Sequence, residues 1–142
     1  MKQILNMNWK GDMAFETEMS GHKVVVDAAP EVGGKDLGPR PKELMLVSLA
    51  GCTGMDVVSI LKKMRVELTG FNVRVEANMT EDHPKHYDGI KIVYEFSGEN
   101  LDKAKLKKAI DLSMERYCGV SVVYRKAMPV DYEIVIKEYQ KN

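Results

Sequence analysis

The sequence predicts an α+β fold, and three observations carry that prediction. Apolar and polar residues alternate with a period of two in the first thirty positions, and again over 71–79, 90–96 and 130–136. Two long segments, 41–63 and 101–117, carry helical spacing instead. The helical segments fall between runs of strands, giving the order βββ-α-ββ-α-α-β, which is not the strict alternation of a parallel α/β chain.

The elements follow in order. Leu5, Met7 and Trp9 share one face of a first strand, and Lys10-Gly11-Asp12 turns the chain. Met13, Phe15, Thr17 and Met19 form a second strand, Ser20-Gly21-His22 turns again, and Lys23 to Asp27 reads as a third. Glycine and proline crowd the stretch from Pro30 to Pro41, which reads as an irregular loop. Pro41 suits the first turn of a helix running to about Lys63, because its missing N–H costs nothing there, and Glu43 complements the dipole. From Leu44 to Met55 this helix has no charge, so it calls for cover on every side. Three strands in one layer cannot supply that, which implies a second layer or a second subunit. Gly51 and Gly54 each cost about 1 kcal/mol against alanine in a helix, and they allow another backbone to approach in a two-fold crossing.

A strand from Phe71 to Met79 returns through the polar TEDHPKHYDG into Ile90–Phe96. Asn100 is the expected N-cap of the helix over 101–117, with Leu106, Ile110, Ser113 or Met114, and Tyr117 on its buried stripe. Cys118-Gly119 breaks that helix, Val120 to Lys126 forms a short second one, and Pro129 stops it. Val130, Tyr132, Ile134 and Ile136 make a closing strand. Asp82, His83 and His86 read as a solvated turn, and Lys103 to Lys108 as a solvated helix face.

Composition bounds the partners. A chain of 142 residues fits one domain, residues 1–142. The 21 basic residues balance 21 acidic ones, so no net field recruits nucleic acid or an anionic membrane. The first residues lack a signal-peptide core, and no apolar run is expected to reach the ~20 residues that span a bilayer. A cytoplasmic protein without a cofactor or bound metal is the expectation. Ten methionines point to an adaptable interior.

Two thiols hold the chemical interest. Cys52 lies within the uncharged helix, where burial raises a thiol's pKa, and taken alone it reads as a small core residue. Cys118 lies near the start of a short helix, where free N–H groups favour an anion. Asp56 is one turn after Cys52 on the same face, placed either to tune the thiol or to bond a neighbouring helix end. Tyr117 and Tyr124 bracket Cys118 and are candidates to line a pocket, with core packing as the default.

The string GPRPKELMLVSLAGCTGMDVV, with YCGVSVVYRKAMPV placed so that the cysteines are 66 residues apart, resembles the osmotically inducible protein C and organic hydroperoxide resistance (OsmC/Ohr) family. The resemblance runs over essentially the whole chain. It implies an OsmC-like fold with an N-terminal three-stranded antiparallel unit, a central buried helix, a β-hairpin, helices and a closing strand, in an intertwined homodimer whose sites lie at the subunit interface. It also implies that Cys52 is the peroxidatic thiol and Cys118 the resolving one, acting on organic hydroperoxides and recycled by a small or protein-borne dithiol. Such chemistry uses a guanidinium to hold the thiolate and a carboxylate to orient it. No arginine precedes Arg40 here, and Lys42 occupies the family's carboxylate position ten before Cys52. Arg40 and Glu43 are therefore the candidates for those two roles. The alternative is an OsmC-like stress-response dimer that keeps the pocket, binds an apolar or electrophilic small molecule, and lacks efficient peroxidase chemistry.

Overall fold

A computed structural model describes residues 1–138, and the chain divides into two compact units, 1–45 and 46–142. Both sheets have three strands, as the alternation requires.

In the first unit, β1 (Asn8–Trp9), β2 (Phe15–Met19) and β3 (His22–Val26) form an antiparallel meander. β1 keeps only two residues of the strand expected from Leu5, pairing Asn8 with Glu16 and Trp9 with Phe15. The β2–β3 turn is tighter than expected: Ser20 and Gly21 both have positive φ, 50° and 78°, so two residues complete the hairpin and His22 already lies in β3. The stretch after β3 is less irregular than its composition implied, because Pro30–Val32 closes a 3-10 turn and Pro41–Glu43 a second. Each begins on proline, whose fixed φ suits a first helical turn.

Asp27 organises the loop between those turns. Its carboxylate accepts hydrogen bonds from the backbone N–H groups of Ala28 at 2.7 Å, Lys35 at 3.1 Å and Leu37 at 3.1 Å. Burial pushes its pKa up, but these donors and Arg40 outweigh it, and the net value lies below the ordinary carboxylate range. The loop folds back so closely that a Cβ at Gly34 would lie 1.9 Å from the Ala28 carbonyl oxygen, and one at Gly38 2.1 Å from that of Val25. Neither glycine has positive φ, so close approach is what requires them.

In the second unit, β4 (Gly70–Met79) pairs antiparallel with β5 (Tyr87–Gly98), and β5 pairs parallel with β6 (Val130–Glu138). A parallel pair needs a crossover, which α2 (Lys103–Leu112), a π-helical turn at Ser113–Tyr117 and α3 (Gly119–Ala127) supply. Central β5 is buried on both faces: Ile92, Tyr94 and Phe96 on one, Val93 and Glu95 on the other. Glu95 is paired with Arg74 at 2.6 Å and Lys137 at 2.7 Å, and chiefly Lys137 holds its carboxyl below the usual range. The opposite face packs on α1 (Leu44–Lys63), with Phe71 stacked on Phe96 at 4.7 Å between centroids.

Three expectations are corrected here. Asp102, not Asn100, caps α2, its carboxylate accepting from the Ala104 N–H at 3.0 Å; Asn100 has φ 50° and sits in the preceding bend. The segment to Tyr117 is not α-helical throughout. The π turn takes five residues to close its hydrogen bond and rotates Tyr117 outward, so it is 58% exposed, whereas Leu106, Ile110, Ser113 and Met114 are buried as expected. Finally, Pro41–Lys63 is long and apolar enough to span a bilayer by length and composition, with a mean hydropathy of 1.9 in its most apolar window. Its stripe of Leu49, Thr53, Val57 and Leu61 is buried, and Leu49, Val57 and Leu61 join the core of the second unit. Met45, Val47, Met55 and Val58 remain exposed on the same helix.

Replacing Gly34 with alanine is expected to destabilise the protein by about 1–3 kcal/mol, the usual cost of overpacking, in urea unfolding. The Asp27 clamp gives a separate expectation. A depressed carboxyl stabilises the fold above its unfolded pKa, and that contribution is lost as pH falls through the folded value. The protection factors of the Lys35 and Leu37 amides, taken relative to intrinsic exchange at each pH, should therefore fall first on acidification, before those of β2 and β3.

Candidate active site

Cys52 and Asp56 are four residues apart in α1, so one helical turn sets both on the same face. Cys118 reaches them from the other side through the π turn. Its N–H donates to the Ser113 carbonyl five residues back at 2.7 Å, and its own backbone is extended, with φ −80° and ψ 98°. That bend ends one helix and makes Cys118 the N-cap of α3. As a result, the two sulfurs and a carboxylate oxygen of Asp56 all lie within 4.8 Å of one another. Cys118 is buried, while Cys52 and Asp56 are half-buried. Both cysteines are free thiols.

The first turn of α3 faces these sulfurs. The Ser121 N–H donates to Cys118 Sγ at 3.4 Å, and the Val120 backbone acts on Cys52 Sγ to lower its pKa. Donors at a helix N-terminus favour the thiolate. Other effects oppose them at Cys52. Burial pushes its pKa above the 9.0 of an unperturbed thiol, helped by the hydrogen bond with Cys118 and the negative charge of Cys118 and Asp56, while the Val120 N–H pulls it down. None of these groups is a cation.

A file of hydroxyls leads to Asp56 from the core. Thr53 Oγ1 lies 2.7 Å from the Tyr94 hydroxyl and 2.8 Å from Ser113 Oγ, and Ser113 Oγ donates to Asp56 Oδ2 at 2.9 Å. Each hydroxyl has one proton. Ser113 directs its proton to Asp56 and so accepts from Thr53, and Thr53 must accept from Tyr94. The file is therefore directed Tyr94 to Thr53 to Ser113 to Asp56. Burial first of all pushes the Tyr94 pKa up to about 12, which keeps it a donor. Tyr94, Thr53 and Ser113 are fully buried, so these bonds hold Asp56 in place.

Cys52 and Cys118 thus come together, joined by Asp56. Arg40 and Glu43 belong to the first unit. There Arg40 Nη1 donates to Asp36 Oδ1 at 2.8 Å and to the Gly38 carbonyl at 3.0 Å. Asp36 chiefly, with Glu43 and Asp27, raises its pKa. The Glu43 N–H donates to the Arg40 carbonyl at 3.2 Å. Tyr117 and Asp56 line a cavity of about 410 Å³ with Ile60, Met64 and Leu112. Tyr124 packs half-buried against the core. Asp82, His83 and His86 are exposed, His86 bonding to Thr80 and to the Pro84 carbonyl. Sequence reasoning placed Ser113 on the buried stripe and missed its role; Thr53, Tyr94 and Ser121 gave no signal beyond a hydroxyl at an apolar position.

The family described as OsmC-like protein matches residues 33–133. The protein YhfA of Escherichia coli strain K12 is 32% identical over 132 residues, covering 91% of this chain and 96% of its own. Among solved structures, a hypothetical protein of Aquifex aeolicus VF5 superposes with a TM-score of 0.84 at 27% identity, covering 99% of each chain. The organic hydroperoxide resistance protein OhrB of Bacillus subtilis shares the fold, with a TM-score of 0.61 at 17% identity over 95% of this chain and 98% of its own. The chain belongs to the OsmC-like family.

The charge of Asp56 beside Cys52 predicts a direction. Asp56→Asn should lower the pH midpoint for alkylation of Cys52 by iodoacetamide, because one negative charge opposing the thiolate is gone. An unchanged or higher midpoint would show that the carboxylate does not act on that sulfur.

Proposed function

We propose that this OsmC-family chain, working as one OsmC-like domain in a cytoplasmic homodimer, is a thiol peroxidase that reduces organic hydroperoxides. The observation that carries the reading is the meeting of Cys52 and Cys118 within 4.8 Å at the start of α3. A disulfide needs about 2.05 Å between sulfurs, so closure is short. In the first step the Cys52 thiolate attacks the terminal peroxide oxygen. The O–O bond breaks, Cys52 becomes a sulfenic acid, and the alkoxide takes a proton and leaves as the alcohol. Cys118 then attacks the Cys52 sulfur. The S–S bond forms, the S–O bond breaks, and the hydroxide departs as water with the proton from Cys118. A dithiol reductant, small or protein-borne, restores both thiols by exchange and is itself oxidised to a disulfide.

In this reading Arg40 is the cation that holds the Cys52 thiolate, and Glu43, whose charge already acts on Arg40, orients it. The alkyl group lies along Ile60, Met64, Leu112 and Tyr117, in the cavity that Asp56 also lines. Each buried CH₂ is worth about 0.8 kcal/mol, roughly fourfold in binding, and hydrogen peroxide gains none of it. The dimer rests on α1: Val47, Met55 and Val58 are exposed, and a groove of about 550 Å³ runs past Gly51, Gly54, Met55 and Val58 to Phe71 and Val73. A second copy is the proposed occupant.

A second reading has its own support. With burial raising the Cys52 pKa and no cation among the groups acting on it, the pair can serve an OsmC-like dimer that binds apolar or electrophilic molecules without turnover.

One equivalent of cumene hydroperoxide should convert the reduced protein to a 52–118 disulfide, seen by peptide mapping, at least tenfold faster than hydrogen peroxide does. Arg40→Ala should raise the alkylation midpoint of Cys52. Oxidation of Cys52 alone, or rates with all peroxides no greater than a free thiol's, would support the binding reading instead.

The dimer has an independent check at Gly51, where an added Cβ would meet nothing within 4 Å in the chain. Gly51→Ala should stabilise a lone helix by about 0.8–1.0 kcal/mol. If a second copy packs there, the substitution should weaken the dimer in analytical ultracentrifugation, and Met55→Glu should weaken it further. A folded wild-type monomer at nanomolar concentration would contradict the dimer.

A further inference from the structure

Among the described residues, Cys52, Asp56 and Cys118 are the group of three or more histidine, cysteine or acidic side chains whose ligand atoms converge. The arrangement has the features of a metal site rather than of a chance cluster. Two ligands, Cys52 and Asp56, come from one face of a helix at i and i+4, the spacing by which helical zinc sites present a ligand pair. The third, Cys118, arrives from a separate element whose backbone is fixed by its N–H bond to the Ser113 carbonyl and by the Ser121 hydroxyl donating to its carbonyl at 3.0 Å. With Zn–S bonds of about 2.3 Å at tetrahedral angles, ligand atoms stand about 3.8 Å apart. The atoms here lie within 4.8 Å of one another, so at most about 1 Å of contraction would close a tetrahedral site.

The surroundings orient each ligand as metal sites require. Asp56 Oδ2 accepts from Ser113 Oγ, which leaves its other oxygen available, and Ser113 is itself held by Thr53 and Tyr94. The Val120 and Ser121 N–H groups face the two sulfurs, the usual donors to thiolates bound to a metal. Two thiolates and one carboxylate offset the charge of a divalent ion and leave a net negative site. Soft sulfur with one oxygen selects zinc over magnesium or calcium, which take oxygen alone.

We infer that the reduced protein binds one zinc ion per chain through Cys52 Sγ, Cys118 Sγ and Asp56, with a fourth position open toward the cavity that Asp56 and Tyr117 line. Binding displaces the two thiol protons to solvent. The site does not depend on peroxidase activity. If that activity is present as proposed, zinc and hydroperoxide compete for Cys52 Sγ, and the metal shields the thiol from oxidation.

The test uses the full reduced chain without oxygen, titrated with Co²⁺ as the spectroscopic probe and then with Zn²⁺ against a chromophoric chelator. One equivalent of Co²⁺ should bind, giving thiolate-to-cobalt bands and tetrahedral visible bands, with about two protons released per ion below neutral pH. Zn²⁺ should displace it and slow alkylation of Cys52 by iodoacetamide, and a chelator should restore the rate. Ser113→Ala should keep the stoichiometry but weaken zinc affinity about 10–100-fold, since it removes the bond that orients Asp56, along with the acceptor of Thr53, and leaves all three ligands in place. Cys52→Ser should lose the tetrahedral spectrum. Wild-type protein with Cys52 alkylated beforehand repeats that arm without a substitution. Absence of thiolate-to-cobalt bands, or the same bands after Cys52 is blocked, would overturn the site. Hydroperoxide turnover of metal-free protein is measured separately, so either function can fail without the other.

Discussion

The hydrogen bond from the Cys118 N–H to the Ser113 carbonyl, 2.7 Å long, is the constraint on which the candidate site depends. It spans five residues and so widens the last turn of one helix by a residue. A regular α-helix through this point would carry Cys118 onward along the axis. The wider turn ends α2, releases Cys118 into an extended conformation, and starts α3 one residue later with its N–H groups aimed at sulfur. The same turn leaves Ser113 and Met114 inside and swings Tyr117 out to the cavity that Asp56 lines. One backbone irregularity thus sets the third side chain of the cluster, the two donors over it, and the wall of the cavity beside it.

The opposing half of the cluster is rigid for a different reason. α1 is anchored by Leu49, Val57 and Leu61 against a sheet whose central strand is buried on both faces. Cys52 and Asp56 lie beside that stripe, and the directed file from Tyr94 through Thr53 and Ser113 ties the carboxylate to the same strand. Buried, fully partnered hydroxyls have no lower-cost arrangement, since each lost bond would leave a polar group unsatisfied at about 1–3 kcal/mol. Asp56 is therefore placed by the core of the fold, in contrast to Arg40, which is held by loop partners Asp36 and Gly38 in the first unit. The fixed neighbours of the sulfur are a second thiol and a carboxylate, and only the Val120 N–H favours its anion.

Much of this was legible in the sequence. Period-two alternation located all six strands within three residues at each end, because a strand with one apolar face exposes apolar surface if it slips. The alternation of Phe71, Val73 and Val75 against Asn72, Arg74 and Glu76 is reproduced in their burial. The uncharged run from Leu44 gave the central helix, and the family string paired the two cysteines. What escaped the reading was set by contacts distant in sequence or by backbone detail. Parallel pairing of β5 with β6 leaves no local mark. The π turn replaces an α turn at a cost of one residue, and nothing in SMERY announces it. Asn100 and Asp102 are both good caps, and the left-handed bend at Asn100 decided between them. Asp56 was visible as a neighbour of Cys52, but the convergence of three ligand atoms needed Cys118 in space.

The central claim is that the fold, before any oxidant arrives, holds the two sulfurs ready to join. Equilibration of the protein across glutathione redox buffers tests it most directly, with the products trapped by acid and resolved by mass. A preorganised pair should pass in one two-electron step from dithiol to intramolecular disulfide, with mixed disulfides scarcely populated, because the second thiol outcompetes glutathione at high effective concentration. Stable glutathione adducts on Cys52 or Cys118 across the transition, with little 52–118 disulfide, would contradict the account.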